Sequence, residues 1–122
     1  MPMMNLQLFS KDFEITPAIR QYLEEKLAAL ERYSDRIIGA HVDVQRDHHH
    51  RKGEIYRVEV NLHVPHQILR VVEKAGTFHA GVDEVTERLK ILLDKYKGRA
   101  EYRRRLRQKF AEARKRFLPF FE

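Results

Sequence analysis

The chain has 122 residues, of which 43% are hydrophobic and 34% charged, so its length and composition suit one small domain with a modest core. It contains no cysteine, which excludes disulfides, thiolate nucleophiles and cysteine-based zinc sites. No run of about 18 apolar residues is present, and the first residues lack the pattern of a signal peptide. We therefore expect a cytoplasmic protein without membrane contacts.

The net charge of +6 is unevenly distributed along the chain. Residues 1–94 carry 13 Lys/Arg and 15 Asp/Glu, whereas residues 95–122 carry 11 Lys/Arg and only three Glu. Concentrated positive charge attracts polyanions, most often nucleic acid, although a basic amphipathic helix also suits an acidic protein or an anionic membrane. The pattern predicts a domain over residues 1–98 and a basic, helical C-terminal tail over residues 99–122.

The first two elements are a strand and a helix. Alternation from Met4 to Phe9 places Leu6 and Leu8 on one face, as expected for a strand. Thr16 and Pro17 then begin a helix, because a Thr hydroxyl caps free N–H groups and Pro is tolerated at the first helical position. The apolar side of this helix has a period of 3.6 residues and comprises Ile19, Leu23, Leu27 and Leu30.

Three further strands follow, each indicated by a period of two residues. They are predicted from Ile38 to Gln45, from Tyr56 to Val64, and from Ile68 to Lys74, where Leu69 and Val71 face inward. The polar segment His48 to Gly53 is predicted to be the turn between the first two. Asp43 and Glu59 are expected to be neighbours on the polar face.

A second helix is predicted from Phe78 to Lys97, with Gly98 as its end. Arg88, Ile91 and Lys95 fall on the side away from its apolar stripe. The order β-α-β-β-β-α predicts an α+β fold, a four-stranded sheet with two helices packed on one face. Residues 100–117 show another amphipathic pattern, which suits either a docked helix or an arm that folds on contact; its apolar positions are Tyr102, Leu106, Phe110, Ala113 and Phe117.

No arrangement of residues indicates catalysis. Neither Ser10 nor Ser34 lies in a nucleophile elbow, and the glycines are isolated. The run from His48 to His50 is predicted to be a polar hairpin tip, since consecutive loop residues rarely converge on one ion. We expect no enzyme activity, no cofactor and no metal; a hydrolase that uses these histidines is the weakest alternative.

Phe9, Ile68 and Val72 suggest an apolar patch and weak self-association through the open sheet face.

Several segments resemble the hibernation-promoting factor and ribosome-associated inhibitor family. They are F-E-I-T-P-A-I-R at Phe13 to Arg20, L-E-R-Y-S-D-R-I at Leu30 to Ile37, A-G-V-D at Ala80 to Asp83, and D-K-Y-K at Asp94 to Lys97. The resemblance covers roughly residues 4–98. It implies a factor that binds the small ribosomal subunit and its rRNA in the tRNA/mRNA channel and inhibits translation under stress. The alternative is a general RNA-binding or protein-docking module whose basic tail carries the binding.

The expected RNA-binding residues come from two sources. Cations that match the family are Arg20, Lys26, Arg36, Arg88, Lys95 and Lys97. The charge of the tail adds Arg99, Arg103, Arg104, Arg105, Arg107, Lys109, Arg114, Lys115 and Arg116.

The chain departs from the family pattern in its second helix. Ile91 occupies a position where the family commonly has Arg, His79 replaces a frequent Tyr, and Thr77 replaces a polar or acidic residue. This helix is therefore less basic than the resemblance implies, and we expect the basic tail to restore the attraction to RNA. The C-terminal dimerisation domain of the long family members is absent from the sequence, so it reads as a short form or as a piece of a longer protein.

Overall fold

The structure is a computed structural model that describes residues 5–50 and 53–117, apart from the side chains of residues 49, 50, 54, 116 and 117. The predicted order β-α-β-β-β-α is confirmed. Its elements are β1 (Asn5–Lys11), α1 (Pro17–Tyr33), β2 (Gly39–His50), β3 (Gly53–Val64), β4 (Gln67–Ala75) and α2 (Phe78–Phe117).

The four strands form one sheet in the order β1-β2-β3-β4. β1 pairs with β2 in parallel, with Asn5 opposite Gly39, because α1 carries the chain back to the starting edge. β2 and β3, and then β3 and β4, pair antiparallel. One face of the sheet is covered by the helices, and its buried side chains are Ala40, Val42, Val44, Val58, Val60, Leu62, Val64, Leu69 and Val71.

Helix α1 begins and packs as its sequence predicts. The Thr16 hydroxyl accepts a hydrogen bond from the Ile19 N–H at 3.3 Å, and Pro17 occupies the first turn. At the other end the Ser34 N–H donates to the Leu30 carbonyl at 3.0 Å. The 3.6-residue period buries one side of the helix, which comprises Leu23, Leu27 and Leu30.

Helix α2 continues through Gly98 to Phe117, so the predicted helix end at Gly98 was wrong. A glycine inside a helix costs about 1 kcal/mol relative to alanine, but the residues around Gly98 are mostly Lys, Arg, Leu, Glu and Ala, which are strong helix formers. The chain divides into two compact units between Leu92 and Leu93. Up to Leu92, the buried hydrophobic positions of α2 are Phe78, Val82, Val85 and Leu89.

The hairpin between β2 and β3 is tighter than predicted. His48 to His50 belong to strand β2 rather than to the turn, and β3 already begins at Gly53, whose φ is +100°. The register of β2 against β3 shifts between Asp47 and His50, as in a β-bulge. Strand β2 therefore continues to His50 although the alternation of apolar and polar residues ends before it. The other two positions of the predicted turn, 51 and 52, lie outside the described residues.

The predicted apolar patch on the open sheet face is not continuous. Phe9 and Ile68 are exposed as expected. However, the register places Asp43 and then Glu59 between Phe9 and Val72 in one row across the sheet. The expected adjacency of Asp43 and Glu59 is confirmed, and it is these charges that separate the apolar side chains. The patch therefore gives no support to self-association through this face.

Gly81 marks the closest approach of α2 to the sheet. A Cβ at this position would lie 2.9 Å from Cγ2 of the buried Val58. Gly81→Ala should therefore destabilise the protein by about 1 kcal/mol, although alanine is otherwise the better helix former, because overpacking a core costs about 1–3 kcal/mol. Denaturant unfolding measures the change. In a Val58→Ala background the same substitution should become stabilising; a loss of stability there would contradict a steric cause.

Candidate nucleic-acid interface

Side chains of α1 and α2 meet in a polar cluster of Tyr22, Lys26, His79 and Asp83. The Tyr22 hydroxyl donates to Asp83 Oδ1 at 2.5 Å, and Lys26 Nζ lies 3.1 Å from the same oxygen. The Tyr22 ring also contacts the His79 ring, with centroids 4.4 Å apart, and Lys26 Nζ lies 5.5 Å from the centroid of Tyr22. Lys26, an expected RNA-binding residue, is thus held between a carboxylate and an aromatic ring.

The ionisation of this cluster favours the paired state. Hydrogen bonds from Tyr22 and Lys26 lower the pKa of Asp83, and the hydrogen bond to Asp83 raises the pKa of Lys26. Burial, followed by the hydrogen bond to Asp83, raises the pKa of Tyr22. At neutral pH the cluster therefore contains one carboxylate, one ammonium and a neutral phenol.

Two more of the expected RNA-binding residues are also paired with carboxylates. Arg20 Nε lies 3.0 Å from Glu24 Oε1 one turn along α1. Arg88 bridges α2 to β4 through its ion pair with Glu73. Arg36, in contrast, is exposed after α1, and its backbone N–H donates to the Ser34 hydroxyl at 3.3 Å. Most of the expected cations of this unit therefore carry a neighbouring negative charge, which offsets part of their attraction for phosphate.

Asp83→Asn should raise the affinity of the chain for RNA roughly threefold, because Lys26 would lose its carboxylate partner and become available to phosphate. The fold should be retained, since exposed ion pairs contribute at most about 1 kcal/mol. Fluorescence anisotropy with labelled RNA measures the change. Glu84→Gln removes the same charge from an exposed neighbouring position and is the matched control; equal gains from both variants would argue against a specific role for Lys26.

The unit from Leu93 onward contains most of the expected cations. Leu93, Tyr96 and Ala100 are buried. Lys95, Lys97, Arg99, Arg103, Arg104, Arg105, Arg107, Lys109, Arg114 and Lys115 are all exposed, and the side chain of Arg116 lies outside the described residues. Glu101 pairs with Arg104 at 2.6 Å and approaches Arg105 at 3.7 Å.

Charges of opposite sign lie on different sides of this helical segment. At about 100° per residue, five cations fall within an arc of about 120°, whereas Asp94, Glu101 and Glu112 line another side of the helix. Arg107, Arg114 and Lys115 border one shallow hollow of about 390 Å³. We name the five-cation surface the basic side; it comprises Arg103, Arg104, Arg107, Arg114 and Lys115. Glu101 reaches one member of this surface, Arg104, from the neighbouring side. A surface with this excess of positive charge is suited to a phosphate backbone.

The open face of the sheet contains a charge network that the sequence did not predict. Arg57 and Arg70 each place a guanidinium nitrogen 2.9 Å from Glu59 Oε1, and the Asn61 amide donates to Glu59 Oε2 at 3.0 Å. The pKa of Glu59 is lowered to about 2, mainly by the hydrogen bonds that its carboxylate accepts from Arg70 and Asn61. Alternation identified Glu59 as a residue of the polar face, but only the strand register brings its partners together.

Neither a metal site nor a membrane span is found in the part of the chain that the structure describes. Within residues 5–50 and 53–117, no three His, Asp or Glu side chains are grouped as ligands would be. In the same ranges neither helix has a stretch apolar enough to cross a bilayer. The side chains of His49 and His50 are not described, so the expectation that the histidine run binds no metal stays a prediction.

The fold defines the class of this protein: a small α+β domain with two helices on one face of a mixed sheet. Residues 6–101 match the family model described as sigma 54 modulation protein / S30EA ribosomal protein. The match covers well over half of the chain, and the chain belongs to this family. The family resemblance of its helix motifs is thereby confirmed.

Curated relatives and solved structures agree with this assignment. The chain is 37% identical over 93 residues to a ribosome hibernation promotion factor of Deinococcus radiodurans, an alignment that covers 76% of this chain and 49% of the relative. A factor of the same name from Staphylococcus aureus is 31% identical over 99 residues, 80% of this chain and 50% of the relative. The chain thus spans about half the length of the curated relatives it matches.

Among solved structures, the N-terminal domain of Thermus thermophilus Protein Y has a TM-score of 0.65 and 32% identity, covering 76% of this chain and 99% of that one. A ribosomal subunit interface protein from Coxiella burnetii has a TM-score of 0.66 at 23% identity and covers 78% of this chain and 99% of that one, which supports the fold alone.

Proposed function

We propose that this protein binds the small ribosomal subunit and its rRNA in the channel for tRNA and mRNA, and thereby inhibits translation under stress. The observation that carries this proposal is the family match over residues 6–101, which includes the whole of α1, β2, β3 and β4 and all of β1 except Asn5. The curated relatives matched over this region are named ribosome hibernation promotion factors. The proposed role is binding, without catalysis or a cofactor, in the cytoplasm.

The distribution of charge supports a division of roles within the chain. The α+β domain supplies shape and a few cations, several of which are paired with carboxylates. The basic side supplies closely grouped positive charge, although its Arg104 is paired with Glu101, and such charge strengthens binding by releasing counterions from phosphates. In this proposal the domain sets where the protein binds, and the basic side sets much of how tightly it binds.

Sedimentation with purified ribosomes tests the proposal directly. The full chain should migrate with small subunits and whole ribosomes at low salt, should be displaced by initiator tRNA, and should inhibit translation in vitro. Binding should weaken steeply as salt is raised, because phosphate contacts release counterions. A chain that stays at the top of the gradient at low salt, or that binds without competing with initiator tRNA, would contradict channel binding.

The second candidate is a general RNA-binding module in which the C-terminal helix alone carries the affinity. The pairing of Arg20, Lys26 and Arg88 with carboxylates favours it, since it reduces the charge that the domain can offer to RNA. This candidate predicts equal affinity for ribosomes and for unrelated structured RNA of similar length. The channel proposal predicts a clear preference for ribosomes, so a competition titration between the two distinguishes them.

A further inference from the structure

An exposed apolar stripe runs along the C-terminal helical segment. It consists of Tyr102, Leu106, Phe110 and Ala113, spaced four, four and three residues apart. The Tyr102 side chain is 63% exposed and that of Phe110 is 68% exposed, while Leu106 and Ala113 are half-buried. At about 100° per residue these positions fall within an arc of about 80°. We name this surface the apolar stripe.

The apolar stripe is separate from the buried positions of the same unit. Leu93, Tyr96 and Ala100 lie on average about 120° around the helix from it. The stripe also differs from the basic side, which lies next to it. A helix with one aromatic or aliphatic residue per turn on an otherwise charged surface has the form of a ligand for a protein groove. Nothing in RNA phosphate binding requires these four positions to be apolar.

The charges beside the stripe define the partner. Arg103 lies along one border, and Arg105 and Lys109 lie along the other; all three are exposed. Positive borders oppose pairing with a second copy of this helix, because residues 93–117 carry 11 Lys/Arg and three Asp/Glu. A stripe of about 80° is also narrower than the apolar face of at least 100° that a core-facing or interfacial helix usually presents. The complementary surface is an apolar groove with acidic edges.

We propose that the apolar stripe docks into an acidic, apolar-lined groove of a ribosomal protein. The inference rests on the proposed function, since it names a second component of the same ribosomal site. The basic side begins beside the stripe at Arg103 and continues around the helix, where its other cations contact rRNA, so the helix joins a protein and an RNA element. The aromatic residues Tyr102 and Phe110 anchor the contact, as buried aromatic side chains do at most protein interfaces.

Site-specific photocrosslinking on ribosomes tests the inference with the full chain. Phe110 is replaced by p-benzoylphenylalanine, the complex with purified ribosomes is irradiated, and the product is treated with ribonuclease or protease. We expect an adduct that resists ribonuclease and maps to a ribosomal protein segment rich in Asp or Glu and apolar residues. An adduct with rRNA, with a second copy, or none at all from a variant that still co-sediments would overturn the inference alone. Loss of co-sedimentation by the unmodified chain would overturn the proposed function with it.

A pair of substitutions separates apolar docking from charge attraction. Leu106→Gln with Phe110→Gln should weaken ribosome binding roughly tenfold while leaving its salt dependence unchanged, because no phosphate contact is removed. Ile38→Gln, at an apolar side chain that is 60% exposed and lies outside the strands, is the control and should have no effect. Unchanged affinity of the double variant would overturn the proposal. So would binding of the wild type to phosphatidylglycerol vesicles with the same sensitivity to these changes, which would identify a membrane ligand instead.

Discussion

Replacing Arg107, Arg114 and Lys115 together with glutamine should lower the affinity of the chain for ribosomes roughly 100-fold at about 0.1 M salt. Each phosphate contact contributes about 0.7–0.9 to the slope of log K against log salt, so a cation at this ionic strength adds a factor of roughly five to eight, and three together add somewhat more than about 100. The three side chains are exposed around one hollow of the basic side, where one phosphate backbone can meet all of them. Sedimentation across a salt series measures both the affinity and the slope.

The slope is the more specific result of that experiment. It should fall by about two to three when the three charges are removed, whereas an indirect effect on folding would leave it unchanged. Lys11, Arg46 and Lys74 border a groove of about 370 Å³ in the unit that ends at Leu92, and their joint replacement with glutamine changes the net charge equally. If that control variant lost as much affinity, net charge rather than the basic side would explain the binding.

Glu59→Gln should destabilise the protein by about 2 kcal/mol at neutral pH, the largest effect expected from a single residue of the open sheet face. The carboxylate is 15% exposed and accepts hydrogen bonds from Arg57, Asn61 and Arg70. Removing its charge leaves two guanidinium groups side by side without compensation. Chemical unfolding at pH 7 measures the loss, and Asp43→Asn in the same row of the sheet should change stability by less than about 0.5 kcal/mol.

The pH dependence of stability gives an independent check on Glu59. Its pKa is lowered to about 2 in the folded protein, so the folded state favours the charged form. The corresponding stabilisation is present above the pKa of the unfolded chain and is lost as pH falls from about 4.5 toward 2. The wild type and Glu59→Gln should therefore converge in stability over that range. A constant difference between them down to pH 2 would show that the ion pairs contribute little.

The fold was largely predictable because its elements obey simple periods. Strand β3 alternates from Tyr56 to Val64, and the apolar side of α1 repeats every 3.6 residues after a Thr–Pro start. The predicted ends of β2 and α2 were wrong, because the residue types there are typical of turns or helix ends while the strand or helix continues. His48 to His50 are polar residues of the kind common in turns, but they continue β2. Gly98 is a residue type that often ends a helix, but it lies inside α2. In both places the backbone hydrogen bonds of a neighbouring strand or helix outweighed the residue preference.

The charged residues of the candidate site were predictable from the sequence, but the ion pairs that they form were not. Composition alone located the basic C-terminal segment, and its cations are exposed as expected. Sequence could not show that Lys26 pairs with Asp83 or Arg88 with Glu73, because these partners are distant in the chain and depend on how α2 lies against α1 and β4. The ion pairs offset part of the positive charge of the α+β domain, so a count of its cations overstates what it can offer to RNA in the proposed complex.

The parallel pairing of β1 with β2 has a consequence for how the protein acquires its fold. Strands β2, β3 and β4 are joined by short connections and can pair through local contacts. Asn5 of β1, in contrast, pairs with Gly39 of β2 only across the intervening helix α1. Loop-closure entropy makes such a distant encounter slow. During synthesis β1 is made before β2, β3 and β4, yet it should be the last of the four to pair, and amide exchange should show it opening first in the finished molecule.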